Sequence, residues 1–165
     1  MVLILMGPMG SGKTTIGKML TGKLGWPFYD GDSFHPKENV EKMRAGIALT
    51  DEDRRVWLEK LRDNIQRWLE ERQDTILACS ALKQAYRDIL GVDQETVRTV
   101  YLKGSYPLLR KRIEERQHPY MDNSLLRSQL DTLEEPKEGL RVDVSATPEM
   151  IVRTIIQNLK LNPSQ

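Results

Sequence analysis

The sequence predicts an α/β domain in which a parallel sheet of five strands carries helices on both faces. Short apolar runs, typical of buried parallel strands, alternate along the chain with longer segments of helical periodicity. A glycine-rich turn joins the first apolar run to the first helical segment. The chain has 165 residues, 39% of them hydrophobic, which is enough for one core. We therefore predict a single domain over residues 1–165.

The strand predictions follow from short apolar runs bounded by polar or turn-forming residues. Parallel strands that are covered on both faces have no polar face, so continuous apolar runs of this length fit them. We predict strands at 2–6, 26–29, 75–79 and 97–102, and a last strand along the alternating residues Leu140, Val142 and Val144. In such a sheet, ligands bind beyond the carboxyl ends of the strands.

The helix predictions rest on apolar periodicity and on residues that begin or end helices. Thr50 is a predicted N-cap, because three acidic residues follow it and an apolar helical face then extends to Leu69. Thr147 is a second predicted N-cap, with Pro148 at the first helical position. A further helix is predicted directly after the glycine-rich turn, and a short one through Val40 and Met43 ends near Gly46. Others follow the strands at 75–79 and 97–102, and one extends from Leu125 to Leu133.

The glycine-rich turn, GPMGSGKT at 7–14, matches the phosphate-binding pattern G-x-x-x-x-G-K-[ST] in its required place between a strand and a helix. Glycines let the backbone direct its N–H groups at phosphate oxygens, and the next helix adds the positive end of its dipole. We expect Lys13 at the β- and γ-phosphates, the Thr14 hydroxyl on Mg²⁺ and Thr15 near the α-phosphate. The predicted nucleotide contacts are Gly7, Pro8, Met9, Gly10, Ser11, Gly12, Lys13, Thr14 and Thr15. An ordinary turn is the alternative, but a chance match in this context is rare.

An acidic cluster, Asp30-Gly31-Asp32, follows the second predicted strand. At that end of the sheet a carboxylate would face the γ-phosphate across the crevice, where it could accept a hydrogen bond from an attacking hydroxyl. We assign that role to Asp32, and Asp30 could orient water bound to Mg²⁺. The alternative is a tight turn, for which Asp and Gly are common.

Four further polar residues are predicted around the same crevice: His35, Arg54, Lys83 and Arg87. Together they suit a small polyhydroxy anion, since hydroxyl groups bind carboxylates and imidazole, and an acceptor carboxylate binds Arg or Lys. Taken singly, each has a simpler explanation: a helix cap for His35 and solvated helix charges for the cations.

Arg112 and Arg116 are four residues apart in a predicted helix and therefore share one of its faces. From there they could swing over the phosphates and neutralise charge in the transition state, as part of a mobile lid that excludes water. The alternative is an exposed helix in which they pair with Glu114 and Glu115.

Composition restricts the remaining classes of function. The chain has 25 basic and 24 acidic residues, a formal charge of +1, and lacks the field expected of a nucleic-acid or membrane-binding protein. Its one cysteine, Cys79, excludes an internal disulfide. No basic leader precedes the first strand, and no apolar run approaches the roughly 18 residues of a membrane span. We expect a cytoplasmic protein.

Several motifs together resemble the gluconokinase family, and the resemblance covers nearly the whole chain. Beyond the phosphate loop, the matching residues are 30–36 (DGDSFHP), Asn39, Lys42-Met43, Gly46, Leu49, Asp51, Asp53-Arg54, Trp57-Leu58, 79–83 (CSALK), Tyr86-Arg87-Asp88, 101–104 (YLKG), 128–130 (SQL), Leu133-Glu134 and Pro136. Such a chain of motifs is far more specific than the phosphate loop alone.

The resemblance implies a P-loop kinase fold, a three-layer α/β/α sandwich related to shikimate and nucleotide kinases. It implies ATP- and Mg²⁺-dependent phosphorylation of D-gluconate on its 6-hydroxyl, and homodimers. Residues 7–14 would hold ATP, Asp32 would orient the acceptor, 36–60 would be an acceptor-binding helical segment and 112–124 a lid. The gluconate contacts would be His35, Arg54, Lys83 and Arg87, and the lid arginines would be Arg112 and Arg116.

The chain departs from the family pattern in its lid and at Val56, and it differs from many other P-loop proteins at the end of its third predicted strand. Pro119-Tyr120 stands where the family has a His-Phe pair, with His118 one place earlier, so no role is assigned to that histidine; Val56 stands in place of a common proline. The strand that ends at Cys79-Ser80 lacks an acidic residue, so Mg²⁺ would be held by Thr14, ATP oxygens and water.

Two other functions stay open. A kinase of the same fold could act on shikimate or another sugar acid, because pocket residues determine the substrate and the fold does not. The chain could also be a non-catalytic module that changes shape when ATP binds. Against the second reading, the sequence supplies a full set of acceptor and lid candidates.

Overall fold

The fold is a single parallel sheet with helices on both faces, seen in a computed structural model that describes residues 1–116 and 123–163. The strands lie in the order β2-β3-β1-β4-β5, and every neighbouring pair is parallel. They are β1 Val2–Met6, β2 Phe28–Asp30, β3 Thr75–Ala78, β4 Val97–Lys103 and β5 Leu140–Asp143. The predicted α/β class and five-stranded parallel sheet are confirmed.

The described part of the chain also forms seven α-helices and one short 3₁₀ turn, Gly31–Phe34. The helices are α1 Lys13–Leu24, α2 Lys37–Arg44, α3 Asp51–Glu70, α4 Gln84–Leu90, α5 Tyr106–Arg116, α6 Asn123–Thr132 and α7 Pro148–Leu159. None of the described helices is long and apolar enough to cross a membrane.

The central strand β1 is buried on both faces, which explains why its sequence has no polar position. Val2, Ile4 and Met6 face the layer that contains α3 and α4, while Leu3 and Leu5 face the layer that contains α1 and α7. The two halves of the core thus meet across one strand. The phosphate loop begins where this strand ends, so it starts from the buried centre of the sheet.

The start of α3 is fixed by the cap that the sequence predicts. The Thr50 side chain accepts a hydrogen bond from the Asp53 N–H at 3.2 Å, and the Asp53 carboxylate accepts one from the Thr50 N–H at 3.0 Å. This reciprocal capping box satisfies N–H groups that have no partner within the helix. It also fixes the positions of Arg54 and Trp57, one and two turns into the helix.

The second strand begins later than predicted, at Phe28 instead of residue 26. Pro27 has no N–H to donate to a neighbouring strand, so ladder pairing starts after it, although its carbonyl still accepts from the Ile76 N–H. Trp26 is buried against the α1 and α7 layer, where its indole N–H donates to the carbonyl of Asn162. The strand therefore extends through Asp30 and brings that residue to the edge where ligands bind.

A third, smaller core joins the phosphate loop to α5 and α6. Met9, at the tip of the loop, packs with Leu109 and Ile113 of α5 and with Leu125 and Leu126 of α6. The loop is therefore supported by apolar contacts on the side away from the sheet.

Candidate active site

The phosphate loop has the backbone conformation that its glycines permit. Gly10 and Gly12 have φ values of +81° and +96°, which other residues rarely adopt, and Gly12 is the N-cap of α1. A side chain at Gly10 would also come within 2.9 Å of the Leu109 carbonyl oxygen, so the loop can lie this close to α5 only with glycine there. The N-terminus of α1 is thus open to an anion.

Lys13 lies folded over the loop. Its Nζ donates hydrogen bonds to the carbonyl oxygens of Gly7 at 2.8 Å and Pro8 at 3.0 Å. Enclosure by protein lowers the pKa of the ammonium, and the nearby carboxylate of Asp32 opposes that shift. A poorly solvated ammonium beside open backbone N–H groups is well suited to binding phosphate oxygens.

Asp30 and Asp32 lie at the carboxyl end of β2, as predicted. The Asp30 carboxylate accepts a hydrogen bond from the Asp32 N–H at 3.0 Å and so caps the 3₁₀ turn. Asp32 projects into the open cleft with 57% of its side chain exposed. The cleft walls still shield its carboxylate from bulk water and raise its pKa, while Lys13 opposes the rise. A carboxylate with a raised pKa is a better proton acceptor.

His35 is held against the indole of Trp57. The two rings stack with their centroids 4.0 Å apart and their planes at 17°, and the Trp57 N–H donates to the Gly31 carbonyl at 2.7 Å. Burial and the Arg54 guanidinium lower the pKa of His35 to about 4, with Asp30 acting in the opposite direction. His35 is therefore neutral at physiological pH.

Arg54 extends from the first turn of α3 toward the same cleft. Its Nη1 donates to the Leu49 carbonyl at 2.8 Å and to the Tyr86 hydroxyl at 3.4 Å. Because a guanidinium is a planar fork with five donors, fixing Nη1 in this way orients the remaining N–H groups. Tyr86 in turn donates to the carboxylate of Asp51.

One cavity contains most of the predicted catalytic and acceptor residues. Its lining comprises Met9, Gly10, Gly12, Lys13, Thr14, Asp32, His35, Met43, Ile47, Ala48, Leu49, Arg54, Trp57, Ser80, Arg116, Leu125, Ser128 and Gln129. It lies beyond the carboxyl ends of the strands, between the phosphate loop and the segment that includes α2 and the start of α3. The cavity thus brings together the phosphate loop, Asp32, His35 and Arg54, although they come from separate parts of the sequence.

A second cavity lies on the other side of the phosphate loop. It is lined by Ser11, Gly12, Thr15, Ile16, Arg112, Glu115, Arg116, Pro148 and Ile151. Arg116 lines both cavities, and Arg112 donates through Nη2 to the Val144 carbonyl at 2.6 Å. Both arginines therefore lie beside the loop, as their spacing predicts. His118 and Pro119-Tyr120 lie outside the described residues, as does the central part of the predicted lid, residues 117–122.

The structure does not bring Lys83 and Arg87 to the acceptor cavity. Lys83 pairs with the Asp51 carboxylate at 3.0 Å, on the outer side of Tyr86. Arg87 is 2% exposed, and its guanidinium donates to the carbonyls of Ala81 at 2.6 Å and Glu134 at 2.8 Å. Arg87 thus ties the start of α4 to the segment after α6. Because these donors are directed at the backbone, the geometry does not support a direct contact between Arg87 and substrate, and that role stays a prediction.

Gln129 is a site residue that the sequence analysis did not assign. Its side-chain oxygen accepts a hydrogen bond from the Met9 N–H in the phosphate loop at 2.7 Å, across 120 positions of sequence. Gln129 follows Leu125 and Leu126 by one helical turn and precedes Leu130, so it is a polar residue within an apolar stripe. That interruption is the signal that could have revealed it.

Metal binding at this site would depend on the nucleotide. Among the described residues no group of three or more His, Cys, Asp and Glu side chains could hold a metal ion. The Thr14 hydroxyl lines the acceptor cavity at the start of α1. A single hydroxyl fits Mg²⁺, which keeps several waters and binds chiefly through substrate phosphates.

The fold and the site together define a P-loop kinase with a pocket for a small acceptor. A family model for shikimate kinase matches residues 9–160. The chain is 41% identical over 174 residues to a probable gluconokinase of Xenopus tropicalis, with 94% of this chain and 91% of that protein covered. It is also 41% identical over 180 residues to a gluconokinase of Arabidopsis thaliana, covering 98% and 95%.

A solved structure agrees with these relatives. The crystal structure of a gluconokinase from Sinorhizobium meliloti 1021 superposes with a TM-score of 0.84 at 38% identity, covering 96% of this chain and 91% of that one. The chain belongs to the gluconokinase family, among the kinases whose fold shikimate kinase shares.

Proposed function

We propose that this protein transfers the γ-phosphoryl group of ATP to the 6-hydroxyl of D-gluconate, giving 6-phospho-D-gluconate. The observation that carries the proposal is one cavity in which a phosphate loop with its lysine meets Asp32, His35 and Arg54. Membership of the gluconokinase family supports the same acceptor. The chemistry of the cavity matches a molecule with hydroxyl groups along its length and a carboxylate at one end.

The acceptor would be bound by charge at one end and by hydrogen bonds along its length. Arg54 is the proposed partner of the gluconate carboxylate, since Leu49 and Tyr86 already orient its guanidinium. His35 and Asp32 are the proposed partners of hydroxyl groups. Lys83 contributes from outside the cavity, because its pair with Asp51 holds the carboxylate that in turn binds Tyr86.

The proposed transfer is an in-line displacement. The 6-hydroxyl oxygen forms a bond to the γ-phosphorus, the bond from that phosphorus to the bridging oxygen of ADP breaks, and the hydroxyl proton passes to the Asp32 carboxylate. Lys13 and Arg116, which both line the acceptor cavity, stabilise the charge on the transferred group. Mg²⁺ held by Thr14, nucleotide oxygens and water would supply further charge neutralisation.

The nucleotide is proposed to extend from the loop into the second cavity. Ser11, Gly12 and Thr15 begin that cavity, and the apolar side chains of Ile16 and Ile151 continue it, which suits a flat base beyond a phosphate chain. Arg112 lies beside this route. We further propose a cytoplasmic homodimer as the working form of the protein.

Phosphorus NMR tests the donor, the acceptor and the position together. Purified protein is incubated with ATP, Mg²⁺ and D-gluconate, with shikimate and two stereoisomers of gluconate in parallel reactions. We expect a new phosphomonoester resonance that coincides with authentic 6-phosphogluconate. Transfer to shikimate alone, or release of inorganic phosphate without a phosphomonoester, would refute the proposal.

A further inference from the structure

Asn39 is a buried polar residue next to the acceptor cavity but not part of its lining. It lies in α2 and is 3% exposed. Its amide nitrogen donates to the Asp53 carbonyl at 2.8 Å and lies 3.2 Å from Nδ1 of His35. A buried amide so engaged is held in one orientation.

The hydrogen bond to Asp53 identifies which end of the Asn39 amide faces the histidine. A backbone carbonyl can only accept, so the group 2.8 Å from it must be the NH₂ and not the side-chain oxygen. The same NH₂ contacts His35 Nδ1, so Nδ1 must accept through its lone pair. A proton on Nδ1 would place two donors against each other.

The proton of the His35 ring must therefore reside on Nε2. The ring is neutral at physiological pH, because burial and Arg54 lower its pKa to about 4. A neutral imidazole carries one N–H, and Nδ1 is already the acceptor. Nε2 faces the Asp32 carboxylate at 3.8 Å, while stacking on Trp57 fixes the plane of the ring.

We infer that Asn39 is a positioning residue that holds His35 as the Nε2–H tautomer, so that this N–H is directed toward the Asp32 carboxylate, 3.8 Å away, and is available to donate to the acceptor hydroxyl. This separates two roles within the site. Asp32 takes the proton, and His35 orients the carboxylate or the hydroxyl oxygen without competing for that proton. The kinetic part of the inference rests on the proposed function, and the tautomer itself does not.

The first test reads the tautomer directly. The chain has two histidines, His35 and His118, so the protein with His118→Gln gives one set of imidazole signals. Proton–nitrogen correlation spectra at neutral pH separate a protonated from a bare ring nitrogen. We expect a bare Nδ1 and a protonated Nε2. A bare Nε2, or a ring protonated on both nitrogens, would overturn the inference whether or not the protein phosphorylates gluconate.

The second test reverses the tautomer. In Asn39→Asp the new carboxylate can only accept, so we expect the proton to move to Nδ1 and leave Nε2 bare. We expect kcat/KM for gluconate to fall by about tenfold or more, the effect of one lost hydrogen bond in the transition state, with little change in KM for ATP. Asn39→Ala should lower kcat/KM similarly and leave both tautomers populated.

Asn158→Asp is the matched control. Asn158 also donates its amide to a backbone carbonyl within a helix, that of Thr154 at 2.8 Å, but on the exposed face of α7. It should leave the His35 tautomer and the kinetics unchanged. If Asn39→Asp folded and kept both Nε2–H and normal kinetics, Asn39 would have no positioning role. Should Asn39→Asp fail to fold, Asn39→Ala decides the matter: an unchanged Nε2–H tautomer with normal kinetics in that variant would show that Asn39 has no positioning role.

Discussion

At the scale of single residues, the site depends on charged groups whose pKa values are displaced by their surroundings. Lys13 has a lowered pKa because protein encloses it, and Asp32 has a raised pKa because the cleft walls shield it. Each charge partly offsets the displacement of the other. Perturbed pKa values of this kind are common among groups that take part in catalysis.

Replacing the loop lysine should remove most turnover. In Lys13→Ala the backbone cradle remains, but the positive charge opposite the transferred phosphoryl group is lost, and we expect kcat to fall by about a hundredfold or more. Lys18→Ala, at an exposed position of the same helix, is the control and should be unaffected. Steady-state kinetics with ATP and gluconate measure both. A near-normal kcat for Lys13→Ala would contradict the assigned role.

Replacing the proposed base should affect the acceptor and spare the nucleotide. Asp32→Asn keeps the shape of the side chain but cannot take the hydroxyl proton, so we expect kcat to fall by about a hundredfold or more. Nucleotide affinity, measured by calorimetry, should stay nearly unchanged, as it should in the exposed control Asp63→Asn. A loss confined to ATP binding would instead assign Asp32 to the metal site.

At the scale of elements, α5 and α6 form a support for the phosphate loop. Met9 packs among their leucines, Gln129 accepts from the Met9 N–H, and Gly10 lies against the Leu109 carbonyl. The same helix α5 carries Arg112 and Arg116. The arginines proposed to close over the phosphates therefore belong to the element on which the loop rests.

The two arginines should influence the chemical step more than acceptor binding. Arg112→Ala or Arg116→Ala removes charge that stabilises the transferred group, so we expect kcat to fall by about tenfold or more with a smaller rise in KM for gluconate. Lys111→Ala, on the exposed side of α5, serves as the control. Should KM for gluconate alone change, both arginines would be acceptor-pocket residues and the lid assignment would be wrong.

At the scale of the whole molecule, the sequence was most informative where structure is local. The strand β1, the loop and α1 follow from adjacent residues, as does the capping box at Thr50, and all were predicted with nearly correct bounds. Asp32, His35 and Arg54 were correctly placed around one cavity, since the carboxyl ends of parallel strands share one edge.

The contacts that the sequence did not determine are those between distant parts of the chain. Arg87 is directed at the segment after α6 and Lys83 at Asp51, and neither direction can be read from α4 alone. Gln129 reaches the loop only because α6 packs against it. The family resemblance implied direct gluconate contacts for both Lys83 and Arg87. Packing decides that distinction, and packing is not local.

The stability of the whole protein should depend on pH because His35 is buried. Between its ordinary pKa of 6.5 and its folded pKa of about 4, the unfolded chain binds a proton at His35 that the folded chain does not. The free energy of unfolding should therefore decrease as pH falls through this window, by up to about 3 kcal/mol from this residue. Asp30, Asp32 and Arg54 are the charged groups facing the ring.

Urea unfolding at a series of pH values measures this dependence. His35→Gln removes the titrating ring and should flatten the curve between pH 6.5 and about 4. His118→Gln, which removes the only other histidine, should keep the decrease. Parallel curves for the unaltered protein and His35→Gln would show that the ring is not held neutral in the fold.

The packing of Met9 against α5 and α6 matters for anyone who builds chimeras of these kinases. If residues 106–132 came from another kinase, the side chains of that segment would have to pack against Met9 of this loop. The segment would also need a glutamine that accepts from the Met9 N–H, as Gln129 does here. Grafting the segment that includes α2 to change substrate specificity keeps the contacts between the phosphate loop and helices α5 and α6, whereas grafting α5 and α6 alone breaks them. The loop and these two helices should therefore be exchanged together.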